Sequence, residues 1–412
     1  MPPWPALRAT NTFALSVLQA PRRVLPSGVA AALLTCEARR VQFFASCAKG
    51  TEGALRDELL ELKFAGVRAD RGGVHFSGER LDAFRACLWS RIAVRVLEPL
   101  GSFECSDEDE LYAGVRALDF SEILSLRQTL SVSAVAHHSR LDHTQYIAQR
   151  TKDAIVDRQR EREGARSNVD RRDADVQVFV HLARDRATVY LDLAGSPLHL
   201  RGYRKAHGEA PLKETLAAAV LRLSGFNREA PVLDPMCGSG TFLIEAALWA
   251  LGRAPGIFRQ RFGFERWHAH GERERLAMRE LREAARGSEA PLPPYQGSDI
   301  DATVLAAARE NAARAGVSIE LSQRSFVDVR PTSKTGLLVS NPPYGERLAS
   351  GNDLPRLLAR LIDRFPDHAA GLLMAEEQQL GRTRRKPRFY SLFNGDIACN
   401  LRVYSPIDRS ER

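Results

Sequence analysis

A short apolar run, Pro231-Val232-Leu233-Asp234, breaks into Pro235-Met236-Cys237-Gly238-Ser239-Gly240-Thr241, and an apolar stretch of helical character, Phe242 to Leu251, follows at once. A strand that enters a helix through a glycine turn restricts the fold to α/β architecture. At such a helix start the backbone N–H groups converge on a ligand. The spacing is Gly-x-Gly without a further x-x-Gly, and no Lys-Ser/Thr follows, which excludes a P-loop and disfavours NAD. Gly238 and Gly240 let the backbone approach a cofactor closely. Asp234, at the strand end, is a candidate acceptor for a cofactor α-amino group, with Pro235, Cys237 and Thr241 in the same turn.

Roughly a hundred residues later the run Gly336-Leu337-Leu338-Val339 stops at Ser340-Asn341-Pro342-Pro343-Tyr344. Prolines cannot extend a sheet, and they hold the backbone rigid. The corner presents a side-chain carbonyl, a backbone carbonyl and a flat ring at one point. That suits a planar base with an exocyclic amine: Asn341 and the Pro342 carbonyl each accept one N–H, drawing the nitrogen toward tetrahedral. Pro343 stiffens the corner and Tyr344 stacks on the ring. On these residues the segment resembles motif IV of the amino-group methyltransferases acting on nucleic acid, whose methyl donor is S-adenosylmethionine (SAM). The bland alternative is a rigid loop after a strand.

Two acidic sites fall between these motifs. Tyr295 to Ser298 reads as the next strand and ends in Asp299-Ile300-Asp301. A carboxylate there can accept both ribose hydroxyls of a nucleoside; Asp299 is the first candidate and Asp301 the second. The helix Ala302 to Ala315, closed by Gly316, leads to a strand at Ile319 to Leu321 and on to Phe326-Val327-Asp328. Asp328 can accept an adenine amino group, with Phe326 beside the ring. For each acid the alternative is an ordinary cap or turn residue.

Residues 41 to 405 resemble the THUMP-domain guanine-N2 methyltransferases of bacterial 23S ribosomal RNA. The likeness rests on Ala210-Pro211-Leu212-Lys213-Glu214-Thr215-Leu216-Ala217, on Leu233 to Phe242 with Ile244-Glu245-Ala246-Ala247, on Ser340 to Leu348, and on Asn394-Gly395-Asp396 with Cys399-Asn400-Leu401. It implies a ferredoxin-like subdomain over 41–105, a THUMP RNA-binding domain over 106–200 and a Rossmann-like class I SAM-dependent methyltransferase domain over 201–412. It makes the first stretch the helix that closes over the methionine end of SAM, with Lys213 and Thr215 as contacts to its carboxylate. It implies 23S ribosomal RNA or the pre-50S particle as partner, and a monomer. Many enterobacterial relatives carry a second methyltransferase behind the first; this chain stops soon after Tyr404 and is expected to hold only the guanine-N2 half. One departure stands out: Gln323 to Asp328 lacks the Gly-Asp often found in such enzymes.

The formal charge of +8 over 412 residues suggests a polyanionic partner. Half of that excess sits in residues 1–40, where five arginines oppose Glu37 alone. RNA binding must therefore rest on local patches. The six cysteines form no C-x-x-C pair and no Cys/His cluster, so they read as thiols of a reducing compartment with no zinc site. The leader 1–40 is Arg-rich and could pass for a transit peptide. A disordered extension or a start codon set too far upstream is the favoured reading, with cytoplasmic location. No apolar stretch is long enough to span a membrane.

From Val41 the chain alternates: strand to Ala45, helix Thr51 to Lys63, strand Gly73 to Phe76, helix Leu81 to Trp89, strand Ile92 to Leu97. Ser106-Asp107-Glu108-Asp109 opens a further helix. Leu130 to Ala136 reads as a strand, Thr144 to Glu163 as a long helix, and Val176 to Leu182 with Thr188 to Leu193 as a hairpin across Arg184-Asp185-Arg186. Three basic clusters are candidate phosphate contacts. Arg382, Arg384, Arg385, Lys386 and Arg388 precede Phe389-Tyr390, so phosphate pairing and base stacking can act together. Arg201, Arg204 and Lys205 surround Tyr203 at the join between the halves. Arg158, Arg160, Arg162, Arg166, Arg171 and Arg172 are interleaved with acids and read as a solvated helix face. The segment Ile257 to Trp267 either walls the base pocket or fills a satellite core. Three rival functions are a tRNA guanine-N2 enzyme, a DNA adenine-N6 enzyme and a non-enzymatic RNA-binding assembly factor. The adenine-N6 enzymes usually carry Asp where Asn341 stands.

Overall fold

The computed structural model describes residues 40–204, 212–343 and 353–407. Val41–Ser46 (β1), Ala65–Asp70 (β2), Gly73–Gly78 (β3) and Arg95–Glu104 (β4) combine with helices Glu52–Glu61 (α1) and Arg80–Trp89 (α2). Phe43 pairs with Phe76 and Ala45 with Val74, so the apolar positions of β1 and β3 fall on one buried face. β2 is an exposed edge strand without apolar alternation, and the sequence pattern does not reveal it. β4 starts three residues later than Ile92 and runs on to Glu104. A register shift between Pro99 and Gly101 carries it past the proline, which a regular strand would not tolerate.

The second block comprises helices Glu108–Ala117 (α3) and Thr144–Glu163 (α4) and strands Thr129–His137 (β5), Asn168–Val169 (β6), Val176–Ala183 (β7) and Arg186–Asp192 (β8). Asp107 caps α3 by accepting from the N–H groups of Asp109 and Glu110. The β7–β8 hairpin turns through Arg184 and Asp185, both with positive φ, the two-residue geometry that matches strand twist. β8 pairs antiparallel with β4 from Asp192 opposite Leu97 to Arg186 opposite Glu104. The two modules thus share one eight-stranded sheet, in the order β2-β3-β1-β4-β8-β7-β5-β6.

The C-terminal half contains helices Glu214–Leu223 (α5), Thr241–Ala250 (α6), Glu272–Ala284 (α7), Ala302–Ala315 (α8) and Leu354–Arg364 (α9). Its strands are Val232–Asp234 (β9), Tyr295–Asp299 (β10), Glu320–Gln323 (β11), Gly336–Ser340 (β12), His368–Ala375 (β13), Arg388–Asn394 (β14) and Ile397–Tyr404 (β15). They order as β11-β10-β9-β12-β13-β15-β14, and all run in one direction except β15, which is antiparallel to both of its neighbours, β13 and β14. The chain moves outward from β9 to β11 and then returns to the other side of β9. That reversal opens a crevice at the carboxyl ends of β9 and β12, where doubly wound sheets bind ligands.

Ile257 to Trp267 fills a core and does not wall the crevice. Phe262, Phe264 and Trp267 are buried in the core of the N-terminal half, with Phe264 stacked on Phe84 at 3.7 Å between ring centres. The buried Arg259 donates to the carbonyls of Ala194, Ser196, Pro197 and Leu200. Arg91 reaches the other way, to the carbonyl of Arg253 at 2.6 Å. Among the described residues no helix is long and apolar enough to cross a membrane.

Candidate active site

The register Leu337 opposite Val232 and Leu338 opposite Leu233 brings the ends of β12 and β9 side by side. Ser340, fully buried, donates its hydroxyl to Asp234 Oδ1 at 2.8 Å, and the Met236 N–H donates to the same oxygen at 3.2 Å. The Asn-Pro-Pro corner and the glycine turn, far apart in sequence, therefore meet at one sheet edge. Burial pushes the Asp234 carboxyl up to about 7; the bonds from Ser340 and Met236 oppose this, and the charge of Asp299 adds to it. A cationic amine beside Asp234 would favour its ionised form.

The glycine turn is bonded on several sides. The Cys237 N–H donates to the Ser298 carbonyl at 2.9 Å, and the Gly238 N–H to Asp299 Oδ2 at 2.9 Å. Ser298 Oγ reaches the Pro235 carbonyl, and Asn311 of α8 reaches the Ser239 carbonyl. Both glycines have positive φ, but their surroundings differ. A Cβ at Gly238 would meet nothing within 4 Å, whereas one at Gly240 would lie 3.3 Å from Ala308 Cβ. Gly238 thus faces open space, and Gly240 serves the packing of α6 on α8. The Cys237 thiol is buried against β10, where a Cβ at Gly297 would come within 3.0 Å of it.

Asp299 also accepts from the Asp301 N–H through Oδ1, so each of its oxygens holds one backbone donor and keeps further lone pairs. Asp301 is a helix cap: its carboxylate accepts from Thr303 N–H at 2.7 Å at the start of α8. Between them Ile300 is 70% exposed. Phe326 packs with Leu233 and Met236 onto one small core, and Asp328 is exposed on the same short turn.

At the β12 end Pro342 is buried and Asn341 half-buried. Asn341 Oδ1 is buried and has no hydrogen-bond partner among the described residues. An unpaired buried acceptor costs about 1–3 kcal/mol, and a bound N–H donor would remove that cost. Gln378 donates Nε2 to the Pro343 carbonyl at 3.2 Å. Tyr344 lies outside the described residues.

Two of the three basic clusters need correction. Arg201 is only 1% exposed; it donates to the carbonyls of Leu198 and Arg91 and stands 3.4 Å from Glu245, which also accepts from Tyr203. Arg204 is buried against Glu214 at 3.2 Å and donates to the Leu212 carbonyl and to Thr241 Oγ1. Both guanidiniums are consumed inside the protein, because a buried charge requires partners. Arg204 instead ties the start of α5, with the exposed Lys213 and the buried Thr215, to the start of α6. Lys205 lies outside the described residues. Arg385 is likewise buried, donating to the carbonyls of His368, Ile362 and Ser405. Arg382, Arg384, Lys386 and Arg388 remain exposed, beside Phe389 at 61% exposure. In the third cluster Arg158 binds the carbonyls of Arg116 and Leu118, while Arg160 and Arg162 pair with Asp157 and Asp119 on a solvated face.

Family models match three segments of the chain: a ferredoxin-like domain of RlmL type over residues 42–97, a THUMP domain over 105–192, and an RMKL-like methyltransferase domain over 201–401. The ribosomal RNA large subunit methyltransferase K/L of Cellvibrio japonicus is 41% identical over 383 residues, 88% of this chain and 51% of that protein. The chain spans about half the length of the curated relatives it matches. Among solved structures, SMU.472, a protein named as a methyltransferase and complexed with SAH, superposes with a TM-score of 0.79 at 29% identity, over 90% of this chain and 99% of that one. A predicted N6-adenine-specific DNA methylase of Listeria monocytogenes gives 0.78 at 30% identity, over 90% and 97%. With its ferredoxin-like and THUMP domains ahead of a doubly wound catalytic sheet, the chain belongs to the RMKL-like methyltransferase family.

Proposed function

We propose that this chain methylates the exocyclic N2 of a guanosine in 23S ribosomal RNA, using SAM. The observation that carries the reading is Asn341 Oδ1, buried at the end of β12 beside the glycine turn of β9 and without a partner among the described residues. The residues present fit SAM: Asp234 for its ammonium, Lys213 and Thr215 for its carboxylate, Asp299 for its ribose, and Ile300 with Phe326 and Asp328 around its adenine. The open side of Gly238 leaves room for it against the backbone. When bound, SAM supplies an electrophilic methyl group on sulfonium.

The protein's part is positioning. A target base leaves its stack to enter the crevice, at a cost of a few kcal/mol that loop RNA lowers. Asn341 Oδ1 and the Pro342 carbonyl accept the two amine N–H bonds, which holds the nitrogen pyramidal with its lone pair free. Pro343 keeps the corner stiff and Tyr344 stacks on the ring. The proton lost from the amine passes to water after transfer. The exposed cations Arg382, Arg384, Lys386 and Arg388 pair with phosphates while Phe389 meets a base. The THUMP domain and the name of the Cellvibrio relative support ribosomal RNA as partner, and with it work in the cytoplasm. The name of the Listeria protein favours a second reading, methylation of adenine N6.

Mass-spectrometric mapping of methylated nucleosides in ribosomal RNA, transfer RNA and DNA, from cells with and without the gene, tests both. Loss of one N2-methylguanosine from 23S RNA is expected. Loss of methyladenine alone would overturn the guanine reading.

A further inference from the structure

Gln378 follows β13 in a turn that its own N–H closes on the Ala375 carbonyl at 3.0 Å. Its backbone carbonyl accepts from Arg402 Nη2 at 3.1 Å, so the residue is held on both sides. Its side chain reaches the corner, where Nε2 donates to the Pro343 carbonyl at 3.2 Å. Only the NH2 end of an amide can serve a carbonyl, which makes Oε1 the free end. Oε1 is buried and has no partner among the described residues, and the same holds for Asn341 Oδ1 two residues before Pro343. The corner thus carries two unpaired acceptors on separate side chains, and no described residue brings a donor to either.

We propose that Gln378 is a specificity-determining residue whose Oε1 accepts the N1–H of guanine while Asn341 and Pro342 hold the N2 amine. The inference rests on the guanine-N2 reading and deepens it by naming what chooses the base. Guanine places N1–H directly beside its amine, so one edge offers three donors in a row. Adenine places a bare N1 beside its amine, and that lone pair would face Oε1. Repulsion then rejects adenine while attraction admits guanine, a combination that discriminates more sharply than either alone.

The test uses the full chain, SAM, and a synthetic RNA hairpin around the mapped guanosine, made with guanosine, adenosine or 2-aminopurine riboside at that position. 2-Aminopurine keeps the N2 amine but has an unprotonated N1. The wild type is expected to prefer guanosine over 2-aminopurine by about 100-fold or more in kcat/KM. Gln378→Leu should lose about 30-fold or more on guanosine, and its preference should fall to about 5-fold or less. Gln378→Glu retains an acceptor oxygen and should keep the preference at a reduced absolute rate. Calorimetry with SAM identifies properly folded variants, and if Gln378→Leu does not bind SAM, the result with Gln378→Glu decides. A Gln378→Leu protein that keeps the wild-type ratio between guanosine and 2-aminopurine, or a Gln378→Glu protein that loses the preference, overturns the role of Gln378 alone. A wild type that methylates adenosine in preference to guanosine overturns the guanine reading as well.

Discussion

The ends of β9 and β12 lie side by side but are finished in opposite ways. Around the β9 turn the donors are matched: Cys237 to Ser298, Gly238 to Asp299, Asn311 to Ser239, Arg204 to Thr241. At the β12 corner Asn341 Oδ1 and Gln378 Oε1 have no donor among the described residues. A bonded turn is a preformed seat, suited to a ligand that is the same at every turnover. Unpaired acceptors hold back their satisfaction for a partner that arrives with N–H groups. On the proposed reading, a base with the right donors would satisfy both acceptors.

If this contrast is right, disabling the corner should stop chemistry without emptying the seat. Asn341→Ala is expected to lower kcat/KM by about 100- to 1,000-fold, the range for a lost transition-state contact, while the SAM Kd stays within about 2-fold. A SAM affinity that fell in step with activity would break the distinction. The opposite change targets the seat. Gly238→Val places a branched side chain in the open space at φ 51°, where such a residue is also strained by about 1–3 kcal/mol. SAM binding measured by calorimetry should weaken by about 100-fold or more.

A subtler probe is pH. Ligand binding that favours ionised Asp234 should release a proton below its raised pKa of about 7 and strengthen as pH rises through that value. For the ligand-free protein the sign is reversed. Between the ordinary carboxyl pKa and about 7 the native state holds a proton that the unfolded state has lost, so stability falls as pH rises across that window. Asp234→Asn should flatten both dependences and weaken SAM, as read by calorimetry in buffers of different ionisation heat and by melting from pH 5 to 8. The smallest effect is expected at Asp301. As a cap, Asp301→Ala should lower stability by about 1 kcal/mol and leave the KM for SAM within about 2-fold. A large KM change would return Asp301 to the ribose.

The motifs were legible because their chemistry is local. Two glycines after a strand, and two prolines after another, limit the backbone whatever surrounds them. The helix opened at Asp107 and the helix ended by Gly316 were legible for the same reason, whereas Asp301, a ribose candidate in the sequence, is the cap of that second helix. What the sequence hid was non-local. Arg201 and Arg385 look like surface cations until Glu245 and a set of carbonyls contributed from elsewhere in the chain come into view. The shared sheet depends on β4 meeting β8 some ninety residues onward, which no pattern within either strand announces. Gln378 carries no motif at all; only its bond to Pro343 marks it.

The stacking of Phe264 on Phe84 bears on how this molecule can be divided. The boundary near residue 201 is sharp as a matter of homology, yet a polypeptide beginning there would carry Phe262, Phe264 and Trp267 stripped of the surface that covers them. It would also carry an Arg259 deprived of every carbonyl acceptor it has between Ala194 and Leu200. Such a fragment should be sticky and poorly expressed, and heating the intact chain should melt both halves in a single step.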